Sequence, residues 1–588
     1  MKLIQEDNLV KAAKLEKLGG KNTARILMSL LQYNKINEIY EKHYDKDTSR
    51  FVNDVLLDAG IKYHISDPDL NKIPKEGGFI LIANHPYGGV EGLILLNTIA
   101  KIRPDFKIMA NFLFNWINPL KENIFGVNPF ETRRNAHSSF QGIKKAIAHV
   151  TSGHPLAIFP AGEVSTYQPG SKAIADKQWS SSMMRFIKNA RVPVIPVYFH
   201  GNNSWFFHFV GRVHPFLRTA KIPSELLNKQ NETISIQIGN AITVKEQNEF
   251  SDIAMLGRYL RARVYSLSGL VKTNHLPNHN FNIDMKPVSN AINTNTLALE
   301  IINITPYYQL FQWQKYTVYC APSQVIPKIT SEIGRLREIT FREVGEGTNE
   351  SIDLDTFDTF YHQLFIWDSH LQRIVGGYRV GKGKDIIRHY GLNGFYTQTL
   401  FRMDREILPI LNESIELGRS FIVKDYQRRP LSLFLLWKGI LHFLQKNPDY
   451  KYLVGPVSIS NSYTKLSQEI IIRYIKKHHF DHTLAWHLKP RRPFVSKPSL
   501  IDIDILTEKA NNLQGLDHVI KEVDPLNSKM PVLLRKYLEL GGRIASFNVD
   551  PLFNNTVDGF LILELSKVKP EMIKALGRTQ VPEQLVEL

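Results

Sequence analysis

Two α/β domains in tandem are what this sequence predicts, and three observations carry that expectation. Short apolar runs of strand type at 79–83, 156–159 and 192–197 each border a polar, proline- or glycine-bearing loop. An asparagine-rich stretch at 272–296 separates them from the remainder. Beyond it, 363–368 and 374–380 read as the two strands of a hairpin. With 588 residues the chain has length for two or more domains, each with its own core.

Residues 1–59 open the chain as a helical segment, with Leu9, Ala12, Leu15, Leu18, Ile26, Leu27, Leu30 and Leu31 at helical spacings. Packing against the first domain is the ordinary fate of such a stripe. The first domain then runs over 60–271. Its strand at 79–83 leads into Asn84-His85-Pro86-Tyr87-Gly88-Gly89-Val90-Glu91, a histidine and a carboxylate on a glycine loop. A carboxylate against one ring nitrogen fixes the tautomer and leaves the other nitrogen free to take a proton from a hydroxyl. A lone His-Pro turn is usually a solvated histidine, but three further segments follow in order. They are 126–134, with Arg133-Arg134 after a turn, then Phe159-Pro160-Ala161-Gly162-Glu163, then Val192-Pro193-Val194-Ile195-Pro196.

Strand, histidine loop, helix, arginine turn, helix, strand, Pro-x-Gly-Glu loop and Val-Pro-x-Ile-Pro in this order resemble the PlsC-like glycerolipid acyltransferases over roughly residues 60–245. The resemblance implies His85 as base with Glu91 as its orienter. It also implies Asn84, Gly88, Gly89, Arg133, Pro160, Gly162 and Glu163 as substrate-binding positions. The family pattern has aspartate five residues after the histidine, where this chain has Val90, with Glu91 following. The extra residue falls to the Pro86–Gly89 loop, whose glycines allow backbone angles other residues avoid. This change and Ala161-Gly162-Glu163 are like those of a bacterial, haemolysin-like branch that includes enzymes making amino-acid-headed lipids.

After the linker at 272–296, the second domain covers 297–588. It holds Arg337 and Phe341, then Asp353, Asp355 and Asp358, then Arg379 on the hairpin strand, then Glu416 and Arg419. Arg-x-x-x-Phe, Asp-x-x-Asp, Gly-x-Arg and Glu-x-x-Arg-x-Phe in this order resemble the GNAT-type acyl-homoserine-lactone synthases and the N-acyltransferases that start ornithine-lipid synthesis. N-acylation of an amino acid requires a neutral amine, so a carboxylate must accept its proton. Glu416 and Asp358 are the two candidates. The arginines, with Phe341 and Asp355, are expected at the substrate, because a guanidinium fork fits both a carboxylate and a phosphate. The two resemblances together imply a bifunctional acyltransferase of the ornithine-lipid type. It would N-acylate ornithine or a similar amino acid with a 3-hydroxyacyl group and then O-acylate the lyso-lipid hydroxyl. The implied donor is a thioester of acyl carrier protein or coenzyme A, with no bound cofactor and no metal.

Composition narrows the partners. With 73 Lys+Arg against 56 Asp+Glu the chain carries +17, which attracts acidic carrier protein or an anionic membrane surface. Zinc-finger spacings, a Gly-x-Gly-x-x-Gly loop and a Walker loop are missing from the sequence, and nucleic acid is not an expected partner. Apolar runs are too short to span a bilayer, and the first residues lack a signal core. Cys320 is the single cysteine, as in a reducing compartment. A cytoplasmic protein bound peripherally to the inner face of the cell membrane is therefore expected. Trp205-Phe206-Phe207-His208-Phe209 has two open readings, as an acyl-groove or membrane-interface element and as core. Two rival functions remain at this point: a single-activity lysophospholipid acyltransferase, and a non-enzymatic haemolysin-like membrane binder.

Overall fold

The computed structural model describes residues 2–7, 10, 20–127, 137–168, 173–213, 215–230, 232–269, 285–427, 429–496, 500–524 and 529–577. It forms two compact units, Met1–Leu276 with Lys497–Lys509, and Pro277–Ser496 with Ala510–Leu588.

The strands of the first unit are β1 (Lys62–Ile65), β2 (Ile80–Ala83), β3 (Lys107–Asn111), β4 (Ile124–Val127), β5 (Leu156–Ile158), β6 (Thr166–Gln168), β7 (Ala173–Ala175), β8 (Val194–Phe199) and β9 (Thr233–Ile238). Seven of them make one sheet in the order β1-β9-β8-β2-β5-β3-β4, and β6 pairs with β7 as a separate hairpin. β8, β2, β5, β3 and β4 run parallel, and β9 is antiparallel to β8. β2 is buried at every position because helices cover both faces, which is why it reads as an unbroken apolar run. One face packs Phe79, Leu81, Ala83, Ile195 and Val197 against Ile94 and Ile99 of the helix Val90–Ile102 and Phe51 and Val55 of the helix Thr48–Asp58. Chain order reverses at β2, whose neighbours are β5 on one side and β8 on the other. The carboxyl ends of parallel strands around such a switch point open a crevice suited to ligands.

Two helices precede β1, Gly20–Leu30 and Tyr33–His43, but the first buries Ala24 and Met28 and leaves Ile26 and Leu30 of the expected stripe exposed, while Leu9, Ala12, Leu15 and Leu18 lie outside the described residues. The return segment Lys497–Lys509 brings the helix Ile503–Glu508 to this unit. Asp502 accepts a hydrogen bond from Arg258 Nε at 2.7 Å, and Leu500 O accepts one from Arg261 Nη1 at 3.1 Å.

The second unit contains β10 (Gln309–Trp313), β11 (Tyr316–Pro322), β12 (His362–Asp368), β13 (Arg373–Lys382), β14 (Phe401–Met403), β15 (Ser414–Ile422), β16 (Tyr452–Ile459), β17 (Leu488–Pro490), β18 (Arg543–Asp550) and β19 (Thr556–Glu564). Eight form a sheet in the order β10-β11-β12-β13-β15-β16-β19-β18. All its pairings are antiparallel except β15 with β16, which bond only from Ser414 to Glu416 against Tyr452 to Val454. Both strands continue beyond that point, so they splay apart after Glu416. The helix Pro327–Glu343 packs Ile329 and Ile333 on Phe365 and Phe421, while Pro430–Lys446 lies against β11, β12 and β13.

Candidate functional site

His85 leaves the end of β2 into the crevice edge. Its Nδ1 lies 3.3 Å from Glu91 Oε1, a charge contact rather than an aligned hydrogen bond, and 16% of the side chain stays exposed. Glu91 sits in the first turn of the helix Val90–Ile102, fully buried. Its Oε1 accepts backbone N–H groups from Tyr87 at 2.6 Å and Gly88 at 3.3 Å, and its Oε2 accepts that of Gly89 at 3.0 Å. The loop therefore folds around the carboxylate, which lets the family's one-residue offset close without displacing the pair. Gly88 has φ +94°, and a Cβ there would meet Val164 at 2.8 Å, so only glycine fits. Burial opposes charge on His85, but Glu91 beside it outweighs burial and holds the ring above its ordinary range. Burial likewise opposes ionisation of Glu91, and His85 with the backbone donors keeps its carboxyl below the usual range. A neutral His85 with its proton on Nδ1 leaves Nε2 as the basic atom.

The surrounding loops fix the ring. Phe159 stacks on it at 4.4 Å and 27°. Asn84 is spent on the scaffold: its Nδ2 donates to Phe199 O at 2.9 Å and its Oδ1 accepts Phe199 N–H at 2.7 Å. A second carboxylate, Asp176, went unread in the sequence. It is buried, and its Oδ1 accepts the backbone N–H of His85 at 3.1 Å and the Ser165 hydroxyl at 2.6 Å. Its faint signal was Asp-x-x-Trp, since Trp179 Nε1 bonds Oδ2 at 3.1 Å.

Pro160 is buried, Gly162 turns the loop after β5 at φ +69°, and Glu163 is held between Lys177 at 2.6 Å and Arg218 at 2.9 Å. Arg133 lies outside the described residues. The aromatic run is the helix Trp205–Val213, and it divides between both readings: Phe207 is fully buried, while Trp205, Phe206 and Phe209 are exposed. Trp116 and Phe112, following β3 on the same sheet edge, are exposed as well. Among the described residues no helix is long and apolar enough to cross a membrane.

In the second unit the expected residues meet as a buried network. Asp355 and Asp358 cap the short helical turn Thr356–Thr359 reciprocally, which explains their spacing. Arg337 grips Asp358 through Nη1 at 3.1 Å and Nη2 at 2.9 Å, and lies 3.2 Å from Asp353. Arg379 reaches Asp355 at 2.6 Å and Asp358 at 3.0 Å, and its buried Nη2 has no hydrogen bond among the described residues. Arg419 donates to Asp353 at 3.2 Å and to the Tyr396 hydroxyl at 3.1 Å. Its φ of +48° marks the bulge where β15 leaves register with β13. Phe341 packs in the core beneath.

Neither expected base has a free oxygen face. Glu416 accepts from the Tyr361 hydroxyl, from the N–H groups of Tyr396 and Thr397 at 2.9 Å each, and from the Thr397 hydroxyl at 2.6 Å. Asp358 accepts from Arg337, Arg379, Gln363 and the Asp355 N–H. Burial opposes its ionisation, yet Arg337 and Arg379 hold it well below the usual carboxylate range. Burial pushes the Cys320 thiol up to about 12, which keeps it protonated and unfit as a nucleophile. Asp404, Glu406 and His487 bring three ligand-type atoms within 4.8 Å of one another, the two carboxylates being exposed.

Known proteins carry the same two parts. Residues 9–271 match the family described as acyltransferase, and 336–438 match the acetyltransferase (GNAT) domain. The chain is 31% identical to a glycine N(alpha)-acyltransferase of Bacteroides thetaiotaomicron over 241 residues, 39% of this chain and 71% of that protein. It is 25% identical to a lyso-glycine lipid O-acyltransferase of the same organism over 45% of this chain and 97% of that one. An L-ornithine N(alpha)-acyltransferase of Brucella abortus is 26% identical over 41% of this chain and 81% of its own length. With an acyltransferase domain preceding a GNAT domain, this protein is an acyltransferase and belongs to the family of amino-acid-lipid acyltransferases.

Proposed function

We propose that the chain makes an amino-acid-headed membrane lipid by two successive acyl transfers. The second unit joins a 3-hydroxyacyl group to the amine of a small amino acid, and the first unit acylates the hydroxyl of the lyso-lipid so formed. The observation that carries this reading is the pairing, in one chain, of a histidine backed by a buried carboxylate with an arginine cluster in which one guanidinium nitrogen is unbonded among the described residues. The relatives support it: one is named for N-acylation and another for O-acylation, and each aligns with less than half of this chain. Glycine and ornithine are the head groups those names carry, and either fits the reading.

In the first unit His85 Nε2 takes the hydroxyl proton while Glu91 stabilises the imidazolium that results. The oxygen attacks the acyl thioester directly, without an acyl-enzyme. The loop at Pro160–Glu163, with Lys177 and Arg218, and Arg133 hold donor or acceptor. In the second unit Arg379 Nη2 takes the amino acid's carboxylate, with Asp355 and Arg419 beside it, and Arg337 keeps the network in shape. Acyl carrier protein or coenzyme A supplies the thioester. The exposed Trp116, Trp205, Phe206 and Phe209 on the His85 edge rest at the headgroup level of an anionic membrane, where the lyso-lipid is found.

The test is lipid mass spectrometry of a host that lacks such lipids. His85→Ala is expected to leave the mono-acylated, N-linked lyso-lipid and to cut the diacyl product by roughly 10²–10⁴-fold. Arg379→Ala is expected to abolish both, and added lyso-lipid to restore the diacyl form. A normal diacyl level in His85→Ala refutes the first-unit assignment.

A further inference from the structure

The second unit carries acidic groups that the arginine network does not match. Asp558 lies on β19 opposite Ser458 of β16 and Asn548 of β18. It is 5% exposed, and its Oδ1 accepts the Ser458 hydroxyl at 2.7 Å. Around it stand Asp550 from β18, Glu346 from the turn after the helix Pro327–Glu343, and Arg419 from β15. Tyr396, whose hydroxyl binds Arg419, feels both Asp550 and Asp558. Arg419 is already shared by Asp353 and Asp355. Asp558 and Asp550 thus face a cation that is committed elsewhere, and Glu346 adds to the negative charge on Asp558. A separate observation points to a polar guest. Thr556 shares the Asp558 face of β19, and its buried Oγ1 lies near Glu346 without forming an aligned hydrogen bond among the described residues.

Glu416 and Asp358 are saturated with donors, whereas the side-chain hydrogen bond to Asp558 among the described residues is that of Ser458, near the splay of β15 and β16. Burial, reinforced by Asp550 and Glu346 and opposed by Ser458 and Arg419, pushes its carboxyl up to about 7. A base poised near the working pH is the efficient one. Resting on the N-acyltransferase reading of this unit, we propose that Asp558 is the general base of N-acyl transfer, receiving a proton from the substrate's ammonium group. The freed nitrogen lone pair attacks the thioester carbonyl, so a C–N bond forms and the C–S bond breaks. The second nitrogen proton leaves with the sulfur as a thiol, and Asp558 returns its own proton to water.

The experiment uses the full-length protein with a 3-hydroxyacyl coenzyme A thioester and glycine or ornithine, following N-acylation across pH. The wild-type rate is expected to rise through about pH 7. Asp558→Asn is expected to lose roughly 10²–10⁴-fold and the pH limb with it, while still O-acylating supplied lyso-lipid. Ser458→Ala removes a group that favours the charged form, so its limb moves to higher pH. An unchanged rate in Asp558→Asn, or an unmoved limb in Ser458→Ala, overturns the assignment. A wild-type protein that N-acylates neither amino acid, yet O-acylates lyso-lipid, overturns the reading of the second unit instead.

Discussion

The His85 edge and the arginine network arrange their ionisable groups in opposite ways. At His85 one imidazole meets one carboxylate, and the rest of the shell is backbone N–H, a phenyl ring and a second, buried aspartate. In the second unit three arginines and three aspartates bond chiefly to one another. The first arrangement can change its charge state during a reaction. The second holds geometry and resists titration, because each charge already has its counter-charge. Density of charged motif residues thus marks the rigid frame, and the reactive group has few neighbours.

The contrast breaks most visibly at Arg337. Arg337→Met leaves Asp353 and Asp358 buried without their main partner, and is expected to cost roughly 3–5 kcal/mol of stability in denaturant unfolding. Unfolding as late as the wild type would mean the network contributes no cohesion. Next in size is Glu91→Gln. Without the anion the imidazolium loses roughly 10–100-fold of its support in O-acylation. The pH limb shifts too: the base works only when neutral, so a ring held above its ordinary range gives a wild-type limb above about 6.5. Removing Glu91 leaves burial as the main influence, and burial lowers the ring, so the limb moves toward acid. A limb that stays in place would remove Glu91 from the pair.

Gly88→Ala comes third, forcing a left-handed residue and a contact at 2.8 Å, with a loss of roughly 1–3 kcal/mol and a disturbed Glu91 cradle. A crystal structure or an O-acylation assay at matched folding would reveal the displacement. The smallest effect belongs to the exposed rings. Trp205→Ser and Phe209→Ser are expected to leave thermal stability within about 0.5 kcal/mol. Each weakens sedimentation with anionic vesicles by about 1 kcal/mol, roughly fivefold. High salt weakens it further, since exposed charges are screened over about 8 Å at physiological ionic strength. Equal vesicle binding by these variants would move the membrane face elsewhere.

The strands and the order of chemistry-bearing loops were legible because β2, β5 and β8 are central, apolar and short, with their loops at one edge. The closeness of His85 and Glu91 was legible as well, the extra residue being absorbed where the loop meets a helix start. What sequence could not display is saturation. The donors on Glu416 come from Tyr361, Tyr396 and Thr397, 19 to 55 residues away. No local pattern announces that its oxygens are occupied. Asp176 escaped notice for a related reason, since its partners His85 and Ser165 lie 91 and 11 residues away and only Trp179 is local. The aromatic run at 205–209 gave two readings because its helix has two faces, one buried through Phe207 and one open.

The return segment sets an order of events for biosynthesis. Ile503, Ile505 and Leu506 are buried, and Asp502 and Leu500 bond Arg258 and Arg261 of the first unit. That unit therefore lacks part of its surface cover when the ribosome passes residue 276, and it waits for more than two hundred further residues. At about 5–20 residues per second this leaves on the order of ten seconds or more in which an incomplete helix face is open to chaperones and proteases. A gene cut at the linker would make that interval permanent, whereas one that grafts 497–509 onto the first unit would close it.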